Sequence, residues 1–83
     1  MSNKKVAQAF GKVLRTTRLE KKISQAELSE ITDMDRSYPS LLERGLRSPT
    51  LEMVFRLSSA LKVAPDSLVE RTALELLKGG GAS

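Results

Sequence analysis

Apolar residues recur at helical spacing in five successive stretches of this chain, with no stretch reading as a strand. That rhythm confines the fold to the all-α class, a compact bundle of five helices. The first stretch, KKVAQAFGKVLRTTRLEKK, puts Val6, Phe10, Val13, Leu14 and Thr17 on one face of a helix of about 18 residues. Gly11, inside it, weakens that helix by roughly 1 kcal/mol relative to alanine. The second stretch, ISQAELSEI, opens on Ser24 with Glu27 three residues later, the spacing of a capping box. TDMD follows as a turn, and Asp35 reads as the N-cap of a third helix that runs through Glu43 and stops at Gly45. Pro39 then falls at the fourth helical position, or at the third if the cap shifts to Arg36, and predicts a tightened first turn. A fourth helix begins at Pro49-Thr50, with Leu51, Val54, Leu57 and Leu61 at helical spacing. A fifth begins at Pro65 and carries Leu68, Val69, Ala73, Leu76 and Leu77.

With 83 residues the chain makes one domain, expected over residues 1–78, with a disordered tail at 79–83. A core this small gains from self-association. The fifth helix, about residues 65–78, holds too many apolar side chains for one face. Leu68 is expected to close the monomer core. Val69, Ala73, Leu76 and Leu77 are expected to meet a second copy in a two-fold homodimer. The alternative is that the helix folds back on its own core and leaves a monomer.

Charge narrows the partners. The net charge is +4, but residues 1–22 hold seven basic side chains and one acidic. Residues 23–35 hold four acidic and none basic, and residues 36–48 hold Arg36, Arg44 and Arg47 against Glu43. A basic first helix with an arginine cluster suggests a polyanion, and a solvated charged surface is the plain alternative. The chain has neither cysteine nor histidine, which excludes disulfides, thiolate metal sites and the usual neutral-pH acid and base. No phosphate loop or paired-carboxylate cleft is evident, so the chain is not read as an enzyme, and no cofactor or metal is expected. No apolar run reaches the length of a membrane span and no apolar segment follows the N-terminal lysines, so the reading is cytoplasmic. The length leaves little room for a sensor domain, so no small-molecule ligand is expected.

Two short helices joined by a few residues, in a small basic all-helical chain, suggest a helix-turn-helix. The stretch SQAELSEITDMDRSYPSLLERGLRSPTLEMVFRLSSALKV resembles the Cro/repressor-type helix-turn-helix family, often called XRE. SQAELS, RSY..LLERG and SPTLEMVFRLSSALKV carry the likeness, which covers about residues 6–70. The short length and long fifth helix are more loosely similar to the controller proteins of restriction-modification systems. The resemblance implies a lambda-repressor-like fold and a transcription regulator, such as a repressor, binding double-stranded DNA.

It also implies roles for single residues. Ser24 caps the helix whose amides face the backbone, and Gln25 matches a position that reaches a phosphate or a base edge. Arg36, Ser37, Ser40 and Leu41 match the face that enters the major groove, with Arg36 the candidate reader of guanine. Tyr38, Arg44 and Arg47, with the amides around residues 46–48, match backbone contacts. Arg18 and Glu43 match a structural ion pair. The alternatives are plain ones: Ser24 a cap and nothing more, Arg36 a solvated side chain near Asp33, Tyr38 a core residue, Arg44 a partner of the helix dipole. Departures from the pattern are Asp33 at a turn-glycine position, Thr32 and Pro39 at apolar positions, and Ser29 for a small alanine. Glu30, on an acidic second helix, would be the docking residue for RNA polymerase if the chain activates transcription. The alternative function within this fold is an antitoxin or an adaptor-type interaction module.

Overall fold

Every connection between helices is closed by the same pair of backbone hydrogen bonds. The structure, a computed structural model, describes residues 4–79. Its helices are α1 (Lys4–Glu20), α2 (Gln25–Thr32), α3 (Tyr38–Glu43), α4 (Leu51–Leu61) and α5 (Pro65–Leu77). After each of the first four, one residue turns left-handed: Lys22 at φ 59°, Asp33 at 56°, Gly45 at 72° and Lys62 at 59°. The next N–H then reaches back five residues: Ile23 to Arg18 O, Met34 to Ser29 O, Leu46 to Leu41 O and Val63 to Ser58 O. The left-handed residue itself donates three residues back, which completes a Schellman closure each time. Gly45 meets the need for a positive φ without a Cβ; the sequence pattern flags Asp33 as a poorer substitute and does not reveal Lys22 or Lys62. Ile23, Met34 and Val63, the residues after three of these turns, pack on the core. Leu46, after the fourth, is exposed.

Phe10, Val13, Leu14, Leu28, Leu42, Val54, Leu57, Leu61 and Leu68 form the core, so every helix contributes. Truncating one of its fully buried leucines to alanine would cost about 2–5 kcal/mol. α1 lies against α3 and α5, while α4 packs on α2 and α5. Leu68 is fully buried and closes the core, as expected. Leu51, expected on the inward face of α4, is instead 71% exposed. It lines an open apolar groove with Val6, Val69 and Leu76 instead of entering the core.

Helix starts follow local chemistry. Ser24 Oγ accepts from Glu27 N–H at 3.0 Å while Glu27 Oε1 accepts from Ser24 N–H at 2.9 Å, the complete capping box. Thr50 Oγ1 accepts from Met53 N–H at 3.1 Å at the head of α4, and Pro65 opens α5. α3 corrects the expectation. It starts at Tyr38 after Ser37, neither at Asp35 nor at Arg36, and Pro39 takes its second position. Tyr38 N–H donates to Asp35 O at 2.9 Å, closing a separate turn over Arg36 and Ser37. At the second position proline sacrifices no helical bond, because those N–H groups have no partner within a helix. Its ring is fully buried. α1 ends at Glu20, two residues short of the periodic stretch. The tail expected over residues 79–83 lies outside the described residues except for Gly79.

Candidate nucleic-acid interface

The N-terminus of α2 and the end of α3 come together through one carboxylate. Glu43, at the last position of α3, accepts from Arg18 Nε at 2.6 Å and Arg18 Nη2 at 3.1 Å. Its Oε1 also accepts from Gln25 Nε2 at 3.0 Å. Arg18 Nη1 donates onward to the Ile23 carbonyl at 2.9 Å. Both charged side chains are sequestered, at 8% exposure for Arg18 and 3% for Glu43. A buried pair is tolerable only when its spare donors and acceptors are satisfied. Among the described residues, no buried side-chain polar atom lacks a partner.

This hub sets how Gln25 can act. Its Nε2 faces a carboxylate, so its carbonyl oxygen is the end turned away. A carbonyl oxygen accepts and therefore repels phosphate, whereas it suits an amino group on a base edge. Phosphate at this end of α2 would have to use main-chain N–H groups or the second amide hydrogen. The bond between Gln25 and Glu43 has no signature in the sequence, because the two residues are 18 positions apart and only the fold joins them.

Arg36 and Ser37 stand in the turn that precedes α3 rather than on the helix, and both are exposed. Asp35 organises that turn. The Ser37 hydroxyl donates to its carboxylate. This bond, with further bonds from the main chain of Ser37 and Arg36, holds the Asp35 carboxyl below the usual carboxylate range. Ser37 therefore offers outward an oxygen acceptor, its proton already being used. Tyr38 is half-buried and packs against the core, while Ser40 and Leu41 are half-buried on α3. Ser24 is exposed. Its capping bonds likewise keep the Glu27 carboxyl below its ordinary pKa.

Arg44 and Arg47 are exposed beyond α3, on a loop that lies across the first turns of α1. A Cβ on Gly45 would meet Gln8 Cγ at 2.8 Å, and a few residues on Ser48 and Pro49 line a groove with Val6 and Phe10. Gly11 serves the same contact from below. A Cβ there would come to 2.4 Å from Leu42 O and 2.6 Å from Glu43 O. The glycine that looked like a flaw in α1 is the place where the end of α3 touches its backbone.

The residues assigned to self-association partly cluster. Val69, Ala73 and Leu76 line an apolar groove with Val6, Pro49 and Leu51. Leu77 is 83% exposed and stands outside that lining. Phe55, one turn along α4 from Leu51, is also exposed, so exposed apolar side chains continue beyond the groove onto α4. The i, i+4 spacing of Leu51 and Phe55 was visible in the sequence. Periodicity defines a face, however, and says nothing of what covers it. On its other side α5 is held to α1 by Lys12 Nζ–Glu75 Oε2 at 3.2 Å and by Arg71 Nη1 donating to Thr17 Oγ1 at 3.1 Å.

Comparison with known proteins agrees with this geometry. A helix-turn-helix family profile matches residues 14–68. Control protein C.BamHI of Bacillus amyloliquefaciens is 38% identical over 66 residues, which span 78% of this chain and 82% of that protein. The crystal structure of the restriction-modification controller protein C.AhdI from Aeromonas hydrophila matches at 37% identity with a TM-score of 0.72, covering 75% of this chain and 94% of that one. The tetramer of the controller protein C.Esp1396I, crystallised with its natural 35 base-pair operator, matches at 28% identity with a TM-score of 0.78, covering 87% and 95%.

Proposed function

The chain belongs to the helix-turn-helix family, and from that premise we propose that it is a sequence-specific DNA-binding transcriptional regulator. It acts in the cytoplasm as a homodimer on a near-palindromic operator. The carrying observation is the braced turn between α2 and α3. It presents exposed Arg36 and Ser37 between the capped start of α2 and the exposed Arg44 and Arg47. In this reading Arg36 reads guanine, with Ser37, Ser40 and Leu41 beside it in the major groove. Ser24, Tyr38, Arg44 and Arg47 hold the register on the phosphate backbone, while Gln25, its acceptor outward, reads an amino group on a base edge.

The homodimer forms along the groove of Val69, Ala73 and Leu76, widened by Leu51, with Leu77 meeting the partner beyond it. A two-fold axis there would set the two reading turns on half-sites about one helical turn apart. Glu30 is exposed, and Glu27 beside it is committed to the cap, which leaves Glu30 as the docking residue for RNA polymerase. A Glu30→Ala protein that binds its operator normally but fails to activate would support that assignment, and unchanged activation would remove it.

The test is selection of bound duplexes from a random pool. The expected product is a palindromic motif, with Arg36→Ala relaxing the preference at defined positions only. A pool that shows no enrichment would discredit the proposal.

A further inference from the structure

One stripe of α1 divides cleanly by chemistry. Lys4, Gln8, Gly11, Arg15, Arg18 and Lys22 follow one another at steps of four and three, so they lie along a single narrow line, with Lys22 just past the helix end. Three of the six meet α3 or the turn after it. Gln8 lies against Gly45, Gly11 lies under Leu42 and Glu43, and Arg18 binds the Glu43 carboxylate. The other three, Lys4, Arg15 and Lys22, are all cations and all exposed. None of them has an ion pair among the described residues, whereas Lys12, turned toward α5, is paired with Glu75. Lys5 and Lys21, off this line, are likewise without an ion pair among the described residues, so what sets the three apart is the line they share with the residues that meet α3.

We propose that Lys4, Arg15 and Lys22 form a phosphate-binding rim alongside α3, each cation seated on a separate phosphate of the duplex. The proposal rests on the DNA-binding reading above and adds to it residues that carry no sequence preference. At about 1.5 Å per residue, Lys4 and Arg15 stand roughly 16 Å apart along the axis, and Arg15 and Lys22 roughly 10 Å apart. Those spans are too long for one phosphate to serve two cations. Lys22 adjoins the start of α2, Arg15 lies between Gly11, which fits under the Glu43 carbonyl, and Arg18, which binds the Glu43 carboxylate, and Lys4 is one turn from Gln8, against which the turn leading to Arg47 packs. The rim thus runs from the start of α2 past the end of α3.

The test measures duplex affinity against salt. Each phosphate contact contributes about 0.9 to the slope of log K on log salt. A Lys4→Gln, Arg15→Gln, Lys22→Gln protein is expected to lose about 2–3 units of that slope, with its preferred operator unchanged. The control is Lys12→Gln, Lys62→Gln, Lys78→Gln, which removes equal charge elsewhere and is expected to keep the wild-type slope. Circular dichroism establishes that both fold. A wild-type slope in the rim variant, or equal flattening in the two proteins, would overturn the rim and leave the DNA-binding reading intact. Absence of salt-dependent duplex binding by the wild type would instead remove both.

Discussion

The main-chain oxygen of Glu43 lies 2.6 Å from the point a Cβ would occupy on Gly11. On helix propensity alone, Gly11→Ala would stabilise α1 by about 1 kcal/mol. The contact reverses the sign, because the obstacle is backbone and cannot swing away. Gly11→Ala is expected to destabilise the fold by about 1–3 kcal/mol, the usual range for overpacking. Urea denaturation of the two proteins decides it, and an alanine protein as stable as wild type would refute the close approach.

Glu43 is also where three side-chain donors converge. Glu43→Ala strands a buried guanidinium and should cost about 3–5 kcal/mol. Gln25→Ala leaves the ion pair whole and should cost only about 1 kcal/mol. Replacing Arg18 and Glu43 together by Met and Leu is expected to be milder than losing Glu43 alone. A double variant as damaged as the single one would show that the pair gives net stabilisation rather than merely being costly to break.

Three of the four left-handed turns between helices carry a side chain: Lys22, Asp33 and Lys62. Asp33→Gly relieves a Cβ penalty on the order of 1 kcal/mol, which for a domain of this size is about 4–8 °C in Tm. Calorimetry should register a rise. An unchanged or lower Tm would mean that the gain in unfolded-state freedom cancels the relief.

Two exposed carboxylates make stability depend on acid. Serine donors hold Glu27 and Asp35 below their ordinary values, 4.5 for Glu27 and 3.8 for Asp35. A depressed folded pKa contributes stability that is present above the unfolded value and is lost as pH falls through the folded one. Denaturation midpoints should therefore be flat near neutrality and decline below the ordinary carboxylate range. Glu27→Gln keeps a neutral acceptor in the capping box, so part of that decline should vanish. An identical acid profile in the variant would exclude the capping carboxylate as a source.

Leu51→Lys, or Val69→Lys, places a charge on the apolar groove without touching the buried core. Either is expected to shift sedimentation from dimer to monomer and weaken operator binding far more than Arg71→Gln, which acts on the opposite side of α5. Wild-type protein that sediments as a monomer at all concentrations would rule out this seam.

Local chemistry made much of this fold legible. The Ser24–Glu27 box, Pro65 and Gly45 act on residues within one turn of themselves, so their effects could be read directly. The start of α3 could not. Asp35 makes a good helix cap, but it makes an equally good cap for a four-residue turn, and Pro39 tips the balance by needing no N–H donor at the second helical position. The bond from Gln25 to Glu43 and the fit of Gly11 under α3 depend on long-range packing that spacing does not encode. The candidate residues could be named from the sequence but their arrangement could not: Arg36 was expected on the face of α3 and stands on the turn before it.

Between Arg44 and Leu51 the chain passes from the arginine-bearing edge to the apolar groove, with Gly45 resting on Gln8 and Pro49 inside the groove. One short backbone segment therefore belongs to both surfaces. In the dimer proposed above, a contact at one end positions the backbone that the other end presents. Operator and second subunit would each strengthen the hold of the other, by the same factor in both directions. Such a chain would respond to its own concentration as a threshold: nearly silent while dilute and monomeric, then occupying its operator over a narrow range as pairs accumulate.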